Sequence, residues 1–463
     1  MHDIARNDVE REKKVSSEMQ KELIEVPDGS YGWFVVLGCF MLNFSTWGAN
    51  AGYSTYLAFY LQTDKFPGGD KLDYAAIGGL AFGTGLIFGP LIRLMVKYTG
   101  VRVTISVGAM LQLLGTMLAA FSTKLWQIYL TQGVVVGLGL GLNFIPSVTI
   151  LAPWFRKKRS LAQSISVAGS GVGGVIFNLG VQTIIKTLSL KWALIIQAII
   201  CGSCNTVGVI LVRSRNSHVK PVMNIWDFKM FLYPVYILYI FYLCMSLWGY
   251  VVLLYNLADF TLSLGYNSQQ ASIVACMVSV GNFFGRPAVG RLADKFGPVT
   301  VSICCQSLVS LLCFAMWVPA KSFATAVAFA LIQGSMMGTL WVVVASIGAR
   351  LVGLRKLDVA LSMGWSFLGA FGAVSPIISI KLRGDATSGE FYDPAQYRDT
   401  AIYCGVCFFI SVLILWVIRG YLIARDKIAI AKGSHQDNEE IEIHVYIRDA
   451  MRGMLEFSKT RKV

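Results

Sequence analysis

Long apolar runs alternate with short polar breaks along the chain, and the runs recur twelve times. They predict helices over 31–61, 76–96, 102–121, 125–153, 161–185 and 191–212. A second set follows over 230–257, 270–291, 299–318, 323–348, 359–380 and 400–421. A helix rises about 1.5 Å per residue, so roughly 20 apolar residues cross the hydrocarbon of a bilayer. Every run reaches that length, and the longer ones must tilt, kink or project beyond it. The pattern reads as an all-α integral membrane fold of twelve transmembrane helices. They fall into two six-helix halves, 31–212 and 230–421, joined by 213–229 and flanked by tails at 1–30 and 422–463.

Composition agrees: of 463 residues, 55% are apolar and only 14% charged, too few charges to cover a soluble protein of this size. The net charge of +14 raises the possibility of nucleic acid, but its placement argues for topology instead. Most Lys and Arg residues fall in the tails and the even-numbered connections, "RKKR" at 156–159 among them. The positive-inside rule then puts both termini in the cytosol, and the bilayer replaces nucleic acid as the expected partner. Whether that bilayer is the plasma or the vacuolar membrane stays open. Residues 1–30 are polar and of mixed charge, unlike a signal peptide. All ten cysteines lie in apolar runs, without a Cys/His cluster, so neither disulfide nor metal is expected. No nucleophile–base set appears in the spans, so neither an enzyme nor a cofactor is expected. The expected ligand is a small-molecule substrate, and no protein partner is indicated.

Two six-helix halves suggest the pseudo-symmetry of secondary transporters. "RLMVKYTGVR" (93–102) and "RLADKFGPVT" (291–300) echo one another at the same place in each half. Five stretches carry a family resemblance. "GRLADKFG" (290–297) is similar to the signature of the major facilitator superfamily between helices 2 and 3, or 8 and 9. "PDGSYGWFVV" (27–36) and "WFRKKRSLAQSISVAGS" (154–170) resemble the two signatures of its monocarboxylate-transporter-type members. "NFSTWGANAGY" (43–53) and "GGLAFGTGL" (78–86) look most like the fungal homologues of that family. The resemblance spans almost all of 27–422. It implies the major facilitator fold, a carrier working by alternating access, and a gating turn made by Gly290, Arg291, Asp294 and Gly297. "GLGLG" (137–141) and "AGSGVGG" (168–174) lie inside spans and lack the Lys-Ser/Thr of a phosphate loop, so they read as close helix contacts.

The ionisable groups change the picture most. His2, His218, His435 and His444 all lie outside the spans, and no Asp or Glu lies within the interior of one. Asp28, Asp64, Asp259 and Asp358 fall near span ends. The resembled proton-coupled animal carriers hold a lysine in helix 1 and an Asp-x-x-x-Arg pair in helix 8. Here those positions are Ala51, Asn282 and Arg286, so only the arginine remains. Asparagine keeps hydrogen bonding but does not ionise. The reading is therefore uniport or exchange rather than proton symport.

Polar stripes at helical spacing supply the candidate substrate contacts. The first span has Asn43, Thr46, Asn50 and Tyr53; the seventh has Tyr239, Tyr242, Ser246 and Tyr250; the eighth has Ser279, Asn282 and Arg286. Such stripes either line a pathway or tie helices together. Asn178, Gln182, Gln333, Trp341 and Trp365 form a second tier. Arg286 either snorkels toward the nearby membrane surface or holds a carboxylate with its fork. Kinks are expected at Pro146, Pro234, Pro287 and Pro376. The substrate expected first is a small organic anion or related polar metabolite. A larger near-neutral aromatic solute is the alternative, as is a nutrient sensor that signals through its tails.

Overall fold

Apolar side chains on every face of a helix need lipid or protein around them, and the helices here provide both. The computed structural model describes residues 28–63, 65–66, 68–69, 71–215, 226–383, 394–431, 445 and 447–454. Among these there is no strand. The first half comprises α1 (32–63), α2 (71–99), α3 (Val101–Ala120), α4 (Leu125–Leu151), α5 (Arg159–Thr187) and α6 (Leu190–Leu211). The second comprises α7 (Pro234–Ser263), α8 (Ser268–Phe296), α9 (Pro298–Trp317), α10 (Phe323–Val352), α11 (Leu354–Lys381) and α12 (Arg398–Ala431). Eleven are long and apolar enough to cross a membrane, and α2 makes the twelfth if its bent parts count as one span. The four histidines, much of the C-terminal tail and the middle of the central connection lie outside the described residues.

Helix ends depart from the apolar runs where backbone geometry decides. The eighth apolar run stops at 291, but α8 continues to Phe296 and stops at Gly297, whose φ of +98° suits glycine. Asp294 therefore stands on the last turn of a helix, not in a loop. In the same way α11 starts at Leu354 and takes Asp358 into its first turns. One proline differs from expectation: Pro234 opens α7, where a missing N–H costs nothing, whereas Pro146, Pro287 and Pro376 lie inside their helices. The sharp bend lies elsewhere, at Phe88 in α2, where two segments meet at 48° just before Pro90.

Gly100 ends α2 with a positive φ, as Gly297 ends α8. Matching those two glycines pairs Pro90 with Pro287 and Gly89 with Arg286. The sequence echo, which pairs Arg93 with Arg291, is thus one residue out of structural step. A second pseudo-symmetric feature binds each half internally. In the first half the Gln112 amide of α3 donates to Ser45 O (2.6 Å), while its oxygen accepts from Asn143 (3.2 Å) and Asn205 (3.0 Å). In the second half Ser246 of α7 donates to Gln306 of α9 (2.8 Å) and lies 3.4 Å from Ser411 of α12. Buried amides lose about 1–3 kcal/mol when a partner is removed. Gln112→Leu is therefore expected to lower the thermal unfolding midpoint of the purified protein by several degrees. An unchanged midpoint would mean that this network does not hold the first half together.

Beyond α12, a short helix, α13 (Ile447–Met454), folds back along it. The Trp416 indole donates to Met454 O (3.0 Å), and Gly453 crosses Gly420 at close range. The tail, in which the sequence shows no recognisable domain, is thus anchored on the last span.

Candidate functional site

The two halves meet along two seams, α5 with α8 and α2 with α11. On the first seam Arg286 is 3% exposed. Its Nη1 donates 2.5 Å bonds to Val167 O and to the Ser170 hydroxyl, both on α5 of the other half. This guanidinium does not snorkel; it reaches across the molecule. The Tyr250 phenol of α7 lies beside it, and no carboxylate faces it among the described residues.

One turn earlier on α8 is Asn282, 5% exposed. Arg286 Nε and Asn282 Oδ1 are both buried without a hydrogen-bond partner. Both face one point. A β-carbon placed on Gly338 would lie 2.7 Å from each of them. Gly338 is where α10 breaks, between Phe323–Met337 and Thr339–Val352. The break brings backbone against a donor and an acceptor, an arrangement tolerated at depth where the backbone is buried in protein or lines a cavity.

An aromatic box adjoins this slot. Trp341 of α10 stacks on Trp365 of α11 (6.0 Å) and meets Tyr250 edge-on (6.3 Å). From the first half, Trp47 approaches Trp341 (5.8 Å), and Phe144 packs against both Trp341 (5.7 Å) and Trp365 (5.5 Å). Indole nitrogens of Trp47 and Trp365 are buried and unpartnered. Trp47 belongs to a π-helical turn of α1, Phe44–Gly48, a form of helix frequent at functional positions.

The remaining predicted residues scatter. Ser246 is committed to Gln306 and Ser411, and Tyr242 is fully buried within the second half. Tyr239 donates to Val344 O (2.6 Å), and Gln333 to Val309 O (3.3 Å). Asn43 donates to the Ser166 hydroxyl of α5 (3.1 Å). Thr46, Asn50 and Tyr53 face a cavity inside the first half rather than the seam, and Tyr53 donates to Tyr74 O (2.7 Å). Asn178 bonds its own helix at Gly174 O. Of the primary candidates, Arg286, Asn282 and Tyr250 come together, joined by the second-tier Trp341 and Trp365. Trp47, Phe144, Ser170 and Gly338 are not among the sequence candidates. Trp47 and Gly338 stand in quoted or apolar stretches whose side-chain types carry no charge to flag them. Ala51 faces Gly174, which in turn faces Ser279 Oγ, so the first seam also holds the position of the missing lysine.

The end of the bundle that bears both termini is closed by carboxylates on backbone. Asp294 accepts 2.9 Å bonds from the N–H groups of Ser160 and Leu161, in the first turn of α5. A carboxylate there meets both orphan donors and the positive end of the helix dipole. Asp28 accepts from the N–H groups of Arg156 (2.7 Å) and Lys157 (2.8 Å) in the same connection. Ser160 and Ser346 hydroxyls lie 2.9 Å apart across the seam, and Gly290 packs on Ser164. On the other seam Arg93 of α2 attracts Asp358 of α11. Arg291, expected in the gate, is exposed near the end of α8. Asp294→Asn keeps one acceptor and loses the charge. A cysteine introduced at Ser346 is expected to react several-fold faster with a maleimide in that variant; unchanged labelling would mean Asp294 does not hold this seam.

Two bundles of membrane-spanning helices, pressed together around a buried cation, define a secondary-transporter fold. The chain belongs to the Major Facilitator Superfamily, whose family model matches residues 34–376. It is 48% identical over 428 residues to "Probable transporter MCH2" of Saccharomyces cerevisiae, covering 91% of this chain and 89% of that one. With "Uncharacterized transporter ESBP6" of the same yeast it shares 31% identity, over 89% of this chain and 62% of that longer protein. Among solved structures, the E. coli fucose:proton symporter FucP matches with a TM-score of 0.62, at 16% identity over 84% of this chain and 99% of that one. The proton:xylose symporter XylE matches at 0.64 and 13% identity, over 84% and 96%. These last two likenesses carry the fold alone.

Proposed function

We propose that the protein carries a small organic anion by alternating access, with Arg286 as the anchor for its negative group. The observation that carries this reading is the buried guanidinium itself: no carboxylate among the described residues neutralises it, and its Nε and the Asn282 oxygen both stand unpartnered beside Gly338. A buried charge without a counter-charge is costly, and an anionic substrate offsets that cost each time it binds. The fork suits a carboxylate. Ala51 and Asn282 replace the groups that the resembled proton-coupled carriers use, which favours uniport or exchange within a monocarboxylate-type family. Both termini are assigned to the cytosol, so Asp294, Asp28 and Ser346 close the cytosolic side.

The aromatic box favours an anion with a flat or apolar body, since aromatic rings add about 0.5–1.5 kcal/mol each in edge or offset contacts. It also supports the second reading, a near-neutral aromatic solute held mainly by Trp341, Trp365 and Tyr250. Purified protein in liposomes separates the two. The anion reading predicts faster uptake of radiolabelled phenylpyruvate than of phenylethanol-type neutral analogues, and inhibition by other carboxylates. Equal uptake of charged and neutral members would favour the second reading.

A further inference from the structure

Five exposed apolar residues run down one face of α12: Ile402, Val406, Phe409, Leu413 and Trp416. Their spacing alternates between four and three residues, which makes a single stripe. Other sides of α12 pack against α7 and α9, so the stripe is the side that meets lipid. The next member by the same spacing is Gly420, at the end of the apolar run, and it is buried. What covers it is α13.

The contact depends on close approach. A β-carbon on Gly420 would strike the Met454 side chain and lie 2.5 Å from Ala450 O, and Gly453 meets the Gly420 backbone. The bond from the Trp416 indole to Met454 O (3.0 Å) ties the two helices one turn along. Ala450, Gly453 and Met454 therefore form the inner face of α13. Arg448, Met451 and Arg452 form the outer face, at i, i+3 and i+4, and all three are exposed. Asp449 is half-buried in the first turn, beside the positive end of the helix. No hydrogen bond or ion pair to a described residue occupies Arg448 or Arg452.

The inner face of α13 thus grips the lipid side of α12, and the outer face carries two guanidiniums level with the end of an apolar run. We propose that α13 lies in the head-group layer and that Arg448 and Arg452 bind the phosphate of an anionic phospholipid. The guanidinium fork matches phosphate oxygens, and its apolar stem can lie along the hydrocarbon surface. Met451, between the two arginines, reaches the acyl chains beneath that phosphate. On the topology read from the basic residues, this is the cytosolic leaflet, whose surface potential is negative. A soluble acidic partner fits less well, because the face continues a stripe that lipid already covers. The proposal rests neither on Arg286 nor on any transported solute.

Bimane attached at Met451→Cys reports on this face in the full chain. Cys204→Ser and Cys304→Ser remove the two thiols that are not buried. Nanodiscs hold equal mole fractions of phosphatidylserine or phosphatidylcholine with a nitroxide high on the acyl chain. Phosphatidylserine is expected to quench about threefold more strongly. Arg448→Gln with Arg452→Gln is expected to lose that preference, while phosphatidylcholine still quenches because the helix stays docked. Arg448→Lys with Arg452→Lys is expected to keep part of the preference. No quenching by either lipid would place α13 away from the bilayer and overturn the proposal. Equal quenching by the two lipids, or a preference that survives the glutamine pair, would overturn it as well. So would loss of phosphatidylcholine quenching in that pair, which would make the arginines supports of the helix itself. Inorganic phosphate at matched ionic strength is expected to change nothing. If it abolishes the preference, the site takes a free anion and not a lipid, and the proposal fails.

Discussion

Replacing Arg286 by glutamine is expected to cut phenylpyruvate uptake by roughly ten- to hundredfold, while the protein still folds. A charge-assisted hydrogen bond contributes about 1.5–3 kcal/mol, and each 1.4 kcal/mol is a factor of ten. Glutamine retains a donor that can reach toward Val167 O and Ser170, so the α5–α8 seam keeps part of its bonding. What disappears is the charge. Arg286→Lys restores charge without the planar fork, and about a tenfold deficit is expected to remain. Initial uptake rates in liposomes, normalised to reconstituted protein, measure both. Near-normal flux in both variants would contradict anion anchoring and transfer the weight to Trp341 and Trp365.

Gly290→Leu is expected to abolish transport altogether. A β-carbon there would meet Ser164 Oγ, lie 2.5 Å from Ser164 Cβ and come within 2.7 Å of Ser160 O. The serine side chain can turn aside, but the Ser160 carbonyl belongs to the first turn of α5 and cannot. The seam then stays open at the end where Asp294 meets Ser160 and Leu161. A carrier that cannot close one side cannot complete its cycle. The same substitution at Gly180 meets nothing within 4 Å and is expected to transport normally. Maleimide labelling at Ser346→Cys reads the trapped state: fast in Gly290→Leu, slow in Gly180→Leu. Slow labelling with lost transport would instead indicate that the Gly290→Leu side chain harms something other than closure.

Much of the architecture was legible because lipid imposes a simple rule on sequence. The twelve apolar runs correspond to eleven long helices and the bent α2, and Gly297 and Gly100 fixed two helix ends that hydrophobicity had placed a few residues away. Hydropathy reports where lipid must be excluded or met; it does not register a helix continuing into water, as α8 does through Asp294. The site was only partly legible. Arg286 and Asn282 stood out as polar groups at depth, and Tyr250 as a member of a stripe. Ser246 belonged to the same stripe yet serves the Gln306 contact, because a helix of a bundle has two polar-tolerant faces and the sequence does not say which one meets the other half. The first-span stripe is the clearest case. Thr46, Asn50 and Tyr53 do share a face, but that face looks into their own half. Gly338 and Trp47 gave no sequence signal, since a helix break and an aromatic box are defined by what packs against them.

If Arg286 handles an anion without a proton partner, substrate can exchange across the membrane with no proton moving. Counterflow in liposomes tests this most directly, with unlabelled phenylpyruvate inside, labelled phenylpyruvate outside and equal pH on both faces. Transient accumulation of label that a protonophore leaves unchanged, with no shift in an internal pH dye, is the predicted result. Net uptake that occurs only down an imposed proton gradient, with one dye-detected proton entering per solute, would contradict it.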